Sequence, residues 1–258
     1  MDIRMIVTDL DQTLLRSDKT MSDYAVNVLS RCREAGKKIV FATGRSTQAA
    51  SRILDQFMPD VFVGYGGALV LVGNEVIYRF DISVDISKKI IKECLAVPEI
   101  FSVLAINESV ALTNNMAELA NKETSHYIYT DSLLDFSFHY LKISVASNSQ
   151  DAVETIAKKF PMCDMLRYTN ENLYRFSNRD AIKWSALKAV AEYYNLNTDM
   201  FIAFGDDIND LEMVEKCGIG VAVANAIDEV KAVADYICDT NDNDGVANWL
   251  GKNILGIY

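Results

Sequence analysis

Basic side chains are in short supply: 25 Lys and Arg stand against 36 Asp and Glu, for a formal net charge of -11. Nonspecific nucleic-acid binding draws on a basic surface and does not fit this balance. Attraction to an anionic membrane surface is disfavoured for the same reason. Histidine is nearly absent, with His126 and His139 alone, which leaves little room for a histidine-rich metal centre. No apolar run approaches the ~20 residues of a membrane span. The start, "MDIRMIVTD", has no charged-then-apolar leader ahead of the first strand. The five cysteines (Cys32, Cys94, Cys163, Cys217 and Cys238) are scattered, odd in number and without CxxC spacing. They read as reduced, mostly buried thiols, and a cytoplasmic protein is expected.

What is present is ordinary globular material. The 50% hydrophobic and 24% charged fractions suit a packed core, and 258 residues suffice for one large domain or two modest ones. "IRMIVTDL" is the near-continuous apolar run of a central parallel strand. "SDYAVNVLSRCREAG" predicts a helix with Ser22 as N-cap, Gly36 as stop, and Tyr24, Val28, Leu29 and Cys32 on one face. "KKIVFATGR" predicts a strand, "TQAASRILDQF" a helix and "DVFVGYGG" a strand; "ALVLVGNEVIYRF" reads as a hairpin turning at Gly73-Asn74.

From about Asp81 the pattern changes to short strands in runs with two helices, "SVDISKKIIKECLAV" and "SQDAVETIAKKF". The strands "DMLRYT" and "LYRFS" are joined across Asn170-Glu171-Asn172. This texture predicts an α+β unit, an antiparallel sheet covered on one face. Alternation resumes with helix "KWSALKAVAEYYN", strand "MFIAFGDD", helix "INDLEMVEKC", strand "GIGVAVA", helix "AIDEVKAVA", a short strand at "YIC" and a terminal helix. The expected architecture is α/β: a doubly wound, Rossmann-like parallel-sheet core over residues 1–81 and 180–258, with an α+β unit inserted at 82–179.

In an open parallel sheet, ligands bind at the carboxyl ends of the strands. The notable polar residues fall there. Asp9 and Asp11 follow the first strand, Thr43-Gly44-Arg45 the second, and "GDDIND" (Gly205 to Asp210) the strand "MFIAF"; Lys183 opens the helix before that strand. Each piece alone has a plain structural explanation. Asp-x-Asp is weak in a chain with 36 acids, Thr-Gly-Arg is a strand-ending turn, Lys183 is a solvated helix residue, and "GDDIND" is a helix cap. Together they describe a site. Carboxylate oxygens are the hard ligands Mg2+ prefers, while a hydroxyl, backbone amides and a lysine donate to phosphate oxygens. Such a site holds a phosphoryl group against a carboxylate.

These residues resemble the haloacid dehalogenase-like phosphohydrolase superfamily, most closely the Cof-type branch with a class-two, subtype B cap. "DLDQTLL", "TGR", Lys183 and "GDDIND" match its four motifs in order, and "GIGVAVANA" and "NDNDGVANWL" look like its closing segments. The resemblance implies a Mg2+-dependent phosphatase acting on small phosphorylated metabolites such as sugar phosphates. It assigns Asp9 as nucleophile and Asp11 as general acid and base. It assigns Mg2+ to Asp9, Asp206 and the backbone carbonyl of Asp11. Phosphate falls to Thr43, Gly44, Lys183 and Asn209; Asp210 orients Lys183, and Asp207 supports the metal shell. Arg45 is left between two roles, touching substrate or pairing with an acid.

Three positions depart from the pattern: Gln12 and Trp184 where glycine is usual, and Gly66 where asparagine is usual. The resemblance also implies a cap that supplies leaving-group contacts, with His126, Lys142 and Arg175 as polar candidates. His126 and His139 read as structural or exposed, and Tyr127 and Tyr129 as cap core. A phosphosugar mutase and a phospho-receiver module are the competing functions, and a monomer or homodimer is expected.

Overall fold

The computed structural model describes residues 2–119, 126–168 and 171–257, so part of the turn expected across Asn170–Asn172 lies outside the described residues. The chain divides into two compact units, Met1–Tyr78 with Ile182–Tyr258, and Arg79–Ala181.

In the first unit, β1 (Met5–Thr8) is buried along its whole length. Sealing side chains such as Ile6 and Val7 away from water is worth roughly 1.5–3 kcal/mol each. α1 (Asp23–Glu34) begins where Ser22 Oγ accepts from Ala25 N at 3.0 Å, and its last turn carries Arg31 and Arg33. The helix stops at Gly36, whose φ of 80° favours glycine. Its buried stripe is Ala25, Val28, Leu29 and Cys32. Tyr24, expected on that face, is 45% exposed. The stripe follows the i, i+3, i+4, i+7 spacing that starts from Ala25, one residue and about 100° away. β2 (Lys38–Ala42), α2 (Ser51–Gln56), β3 (Val61–Gly64), β4 (Leu69–Val72) and β5 (Glu75–Arg79) follow. The helix expected from Thr47 begins only at Ser51, after a turn.

The second unit opens with α3 (Val84–Leu95), capped by Ser83, then β6 (Ile100–Ile106), β7 (Ala111–Thr113), β8 (Tyr127–Tyr129), β9 (Lys142–Ser147), α4 (Gln150–Ala157), β10 (Cys163–Arg167) and β11 (Leu173–Asn178). Its sheet runs β10-β11-β9-β6-β7-β8. All the pairings are antiparallel except β7 with β8, which is parallel. An all-antiparallel sheet was expected. Residues 114–126 separate β7 from β8, enough for the connection of about a dozen residues that a parallel pair requires. Alternate residues Val103, Ala105, Ile143, Val145, Tyr174 and Phe176 form a core with Ile90 and Ile91 of α3 and Val153 and Ile156 of α4. Both helices therefore lie on one face. Tyr127 and Tyr129 are half-buried on the edge strand β8, outside that core, and His139 is exposed.

The first unit resumes with α5 (Lys183–Tyr193), β12 (Phe201–Gly205), α6 (Leu211–Lys216), β13 (Ile219–Ala222), α7 (Asp228–Val233), β14 (Tyr236–Ile237) and α8 (Gly245–Asn253). Its sheet runs β14-β13-β12-β1-β2-β3-β4-β5 and is parallel from β14 to β3. β4 turns antiparallel to β3. Winding goes outward from β1 in both directions, with β2 on one side and β12 on the other. The reversal point, where doubly wound sheets bind ligands, is thus the carboxyl end of β1 and β12.

Candidate active site

Asp9 is the first residue past β1, and its N–H still bonds Phe204 O of β12 at 3.0 Å. The ladder thus holds its backbone. Two glycines bring the other charges in. A Cβ on Gly67, where φ is +106°, would sit 2.2 Å from the Ile182 carbonyl carbon, so glycine lets the start of α5 approach and seats Lys183. A Cβ on Gly205 would lie 2.4 Å from Cβ of Asp210. The helix expected over "INDLEMVEKC" is split. A tight turn at Ile208–Asp210 precedes α6, because Asp207 and Asp210 cap each other's backbone reciprocally.

The result is a buried ionic cluster. Lys183, 1% exposed, donates from Nζ to Asp9 Oδ1 at 2.5 Å and to Asp210 Oδ1 at 2.6 Å. Asp210 Oδ2 accepts from the backbone N–H of Asp206 at 3.2 Å and Asp207 at 3.3 Å. Both oxygens of Asp210 are thereby committed, which makes it an orienting group. Burial and then two carboxylates act on Lys183 in opposite senses: desolvation disfavours its charge, but Asp210 and Asp9 hold the ammonium above its usual range. Asp9 is pushed well above the usual carboxylate range by burial, against Lys183 and with help from Asp210, Asp206 and Asp11. Asp206 is pushed up to about 7, by burial first and then Asp210.

Oxygens of Asp9, Asp206 and Asp210 lie within 4.8 Å of one another. One lysine does not balance three such carboxylates. Asp206 Oδ1 accepts from Thr13 Oγ1 at 2.7 Å, while Asp206 Oδ2 and Asp9 Oδ2 take no hydrogen bond among the described residues. This donor set fits a hard divalent cation held by Asp9 and Asp206.

Asp11 belongs to a second pair. Arg45 donates to it from both sides of its fork, Nε to Oδ2 at 2.7 Å and Nη2 to Oδ1 at 2.6 Å. Of the two roles open to Arg45, the one it takes here is pairing with an acid. Burial pushes the Asp11 carboxyl up, but the Arg45 bonds and charge, with Lys19 and Lys183, outweigh it and hold the group below its usual range. Thr43 is buried, and its Oγ1 accepts from Arg45 N at 3.1 Å. Gly44 and Asn209 are half-buried in their turns, and Asn209 Oδ1 is buried without a partner among the described residues.

The sequence reasoning missed a set of residues that grip the loop after Asp9. Gln12, in the usual glycine position, has φ 60° and ψ 5°, a left-handed conformation costing a non-glycine residue roughly 1–2 kcal/mol. Asn225 Nδ2 donates to its carbonyl at 2.8 Å. Asn225 Oδ1 accepts from Asn241 N at 3.0 Å, and Asn241 Nδ2 donates to Leu15 O at 3.0 Å. Ser17 bonds Asp242, while Arg16 and Ser22 both bond Asp244. The two closing segments are thus clamps. Their signal was present as Asn and Asp in turns, but their partners lie more than 200 residues away. Trp184 packs on the core with Lys216 Nζ 5.9 Å from its ring centre, and Gly66 has φ 76°.

Comparison with known proteins agrees along the full length. The model of the haloacid dehalogenase-like hydrolase family matches residues 6–250. A phosphatase-named protein of Haemophilus influenzae is 31% identical, the match covering 95% of each chain. The 5-amino-6-(5-phospho-D-ribitylamino)uracil phosphatase YitU of Bacillus subtilis is 27% identical over 95% of this chain and 96% of its own. The crystal structure of a haloacid dehalogenase-like hydrolase from Bacteroides thetaiotaomicron superposes with a TM-score of 0.85 at 25% identity, covering 97% of this chain and 99% of that one. With the four motifs gathered at the carboxyl ends of β1, β2 and β12 and a family match that spans nearly the whole chain, the protein belongs to the haloacid dehalogenase-like hydrolases and is an enzyme of their phosphatase type.

Proposed function

We propose that this enzyme is a Mg2+-dependent phosphatase that hydrolyses small phosphorylated metabolites, sugar phosphates foremost, through an aspartyl-phosphate on Asp9. The observation that carries the reading is the buried Asp9–Lys183–Asp210 chain beside Asp206. A fixed ammonium thereby orients the Asp9 carboxylate. An oxygen of the Asp9 carboxylate forms a bond to phosphorus as the bond from phosphorus to the leaving oxygen breaks. Asp11 gives that oxygen a proton, then takes one from the water that attacks phosphorus and releases Asp9 and inorganic phosphate. Thr43, the amide of Gly44, Lys183 and Asn209 hold the phosphoryl oxygens. Mg2+, held by Asp9, Asp206 and the Asp11 carbonyl with Asp207 in support, supplies charge neutralisation when bound.

The Arg45 fork bears on the order of events. A carboxylate locked on a guanidinium does not carry a proton, so Arg45 must release Asp11 before the leaving oxygen can be protonated. The test is hydrolysis of p-nitrophenyl phosphate and a panel of sugar phosphates with Mg2+, beside Asp9→Asn. Asp9→Asn is expected to lose at least ~10,000-fold in kcat, the scale for a lost nucleophile. Wild-type turnover by that variant, or no hydrolysis of any compound by the parent chain, overturns the proposal.

A further inference from the structure

The turn after Asp9 is strained, and one side chain from the loop after β13 braces it. Asp11 has φ -70° and ψ 127°, and Gln12 has φ 60° and ψ 5°. These are the angles of a type II turn, whose third residue is ordinarily glycine because φ there is positive. Gln12 fills that place with a full side chain, so the turn tends to relax. The peptide plane between Asp11 and Gln12 carries the Asp11 carbonyl, and ψ of the one and φ of the other flank it. Relaxation at Gln12 therefore swings the carbonyl assigned to Mg2+. The residues on either side are held: Asp9 N–H bonds Phe204 O at 3.0 Å, and Thr13 Oγ1 donates to Asp206 Oδ1 at 2.7 Å.

The brace comes from the turn between β13 and α7. Asn225 is exposed as a residue, yet both ends of its amide are engaged. Nδ2 donates to Gln12 O at 2.8 Å, and Oδ1 accepts from Asn241 N at 3.0 Å. Its own turn is closed by Ala226 N on Val223 O at 2.9 Å. The same turn grips the loop after β12: Val223 N bonds Gly205 O at 3.3 Å, and Ile227 N bonds Asp206 O at 2.9 Å. The segment 223–227 thus joins the turn that bears the Asp11 carbonyl to the loop that bears Asp206. Both are ligands assigned to the cation, and Mg2+ demands near-ideal geometry, so their spacing governs its affinity. We propose that Asn225 is a positioning residue for the cation: its amide holds the strained Gln12 turn, and its segment fixes that turn against Asp206. Glycine at position 12 would need no such brace, whereas Gln12 makes this chain depend on it. The inference rests on the Mg2+ assignment of the phosphatase reading.

The test is the Mg2+ dissociation constant of the full chain, read by calorimetry and by the Mg2+-dependent rise in Tm. Asn225→Ala is expected to weaken Mg2+ binding about five- to tenfold, the scale of one hydrogen bond. In a Gln12→Gly background, where glycine accepts the turn without strain, the same change should weaken it about twofold or less. A loss that ran through Asn241 instead would be the same in both backgrounds. Asn253→Ala is the control, removing an amide bond of equal length, Nδ2 to Trp249 O at 2.8 Å, at the end of α8. It should leave the constant within about twofold of the parent. Asn225→Ser, too short to reach Gln12, decides the matter if Asn225→Ala does not fold by circular dichroism. The Mg2+ concentration for half-maximal hydrolysis of p-nitrophenyl phosphate should rise by the same factor as the constant. An unchanged constant in the Asn225 variant, an equal loss in the Gln12→Gly background, or an equal loss in Asn253→Ala overturns the inference. Each of these leaves the phosphatase reading standing while the parent chain hydrolyses p-nitrophenyl phosphate with Mg2+. If the parent chain binds no Mg2+, the inference falls together with the cation assignment.

Discussion

Lys183 and Arg175 are both buried cations, and the protein treats them in opposite ways. Lys183 has an acid on each side, Asp9 and Asp210, and Asp210 is tied in turn to the backbone N–H groups of Asp206 and Asp207. Two donors of Arg175, Nε and Nη1, have no hydrogen-bond partner among the described residues. The first arrangement is complete in the protein alone apart from its surplus of negative charge, and the second is incomplete. A satisfied buried charge holds machinery in place, whereas buried donors without acceptors cost free energy.

Stability measurements can break or sharpen that contrast. Lys183→Met strands two buried carboxylates and should cost about 3–5 kcal/mol in urea unfolding. Arg175→Met removes two buried donors that have no partner among the described residues and should leave stability within about 1 kcal/mol or raise it. Equal large losses in both would mean that Arg175 is bonded as fully as Lys183.

The surplus negative charge gives the next largest effect, through pH. Asp206 is at about 7 when folded and near 3.8 when unfolded, so between those values the folded chain binds more protons. Stability of the metal-free chain should therefore fall as pH rises from about 4 to about 7, the reverse of an acid-sensitive salt bridge. Mg2+ should accordingly raise Tm more at about pH 8 than at about pH 5. A Mg2+ effect equal at both values would remove Asp206 from the cation site.

Smaller again is the effect of Arg45. Arg45→Gln frees the Asp11 carboxyl to titrate higher, so the limb of the kcat/KM profile that reports Asp11 should move to higher pH. The smallest changes concern the Gln12 turn. Asn225→Ala should cost about 1 kcal/mol, one hydrogen bond, and Gln12→Gly should recover up to about 1 kcal/mol of left-handed strain, both read from thermal melts.

Much of the site was legible because motif residues sit next to elements that sequence patterns mark clearly. The apolar run ending at Thr8 locates Asp9, and the strand "MFIAF" locates Asp206 to Asp210. Tyr24 was misplaced because a helical stripe has a width, and its edge is drawn by neighbours that periodicity does not contain. β7 and β8 were not recognised as parallel because pairing direction depends on the path between strands. The clamp by Asn225, Asn241 and Asp244 was invisible because hydrogen bonds spanning more than 200 residues leave no local pattern.

The sequence by itself determined which chemistry is possible. Acids, a threonine, an arginine and a lysine at strand ends define an oxygen-rich site for phosphate and a hard cation, because side-chain type and strand periodicity are local properties. Only the tertiary structure decided how those charges are shared. Lys183 bridges Asp9 and Asp210, Arg45 takes Asp11, and two donors of Arg175 have no partner among the described residues. Pairing and desolvation depend on distances through space, and those distances are set by the whole fold rather than by any stretch of the chain.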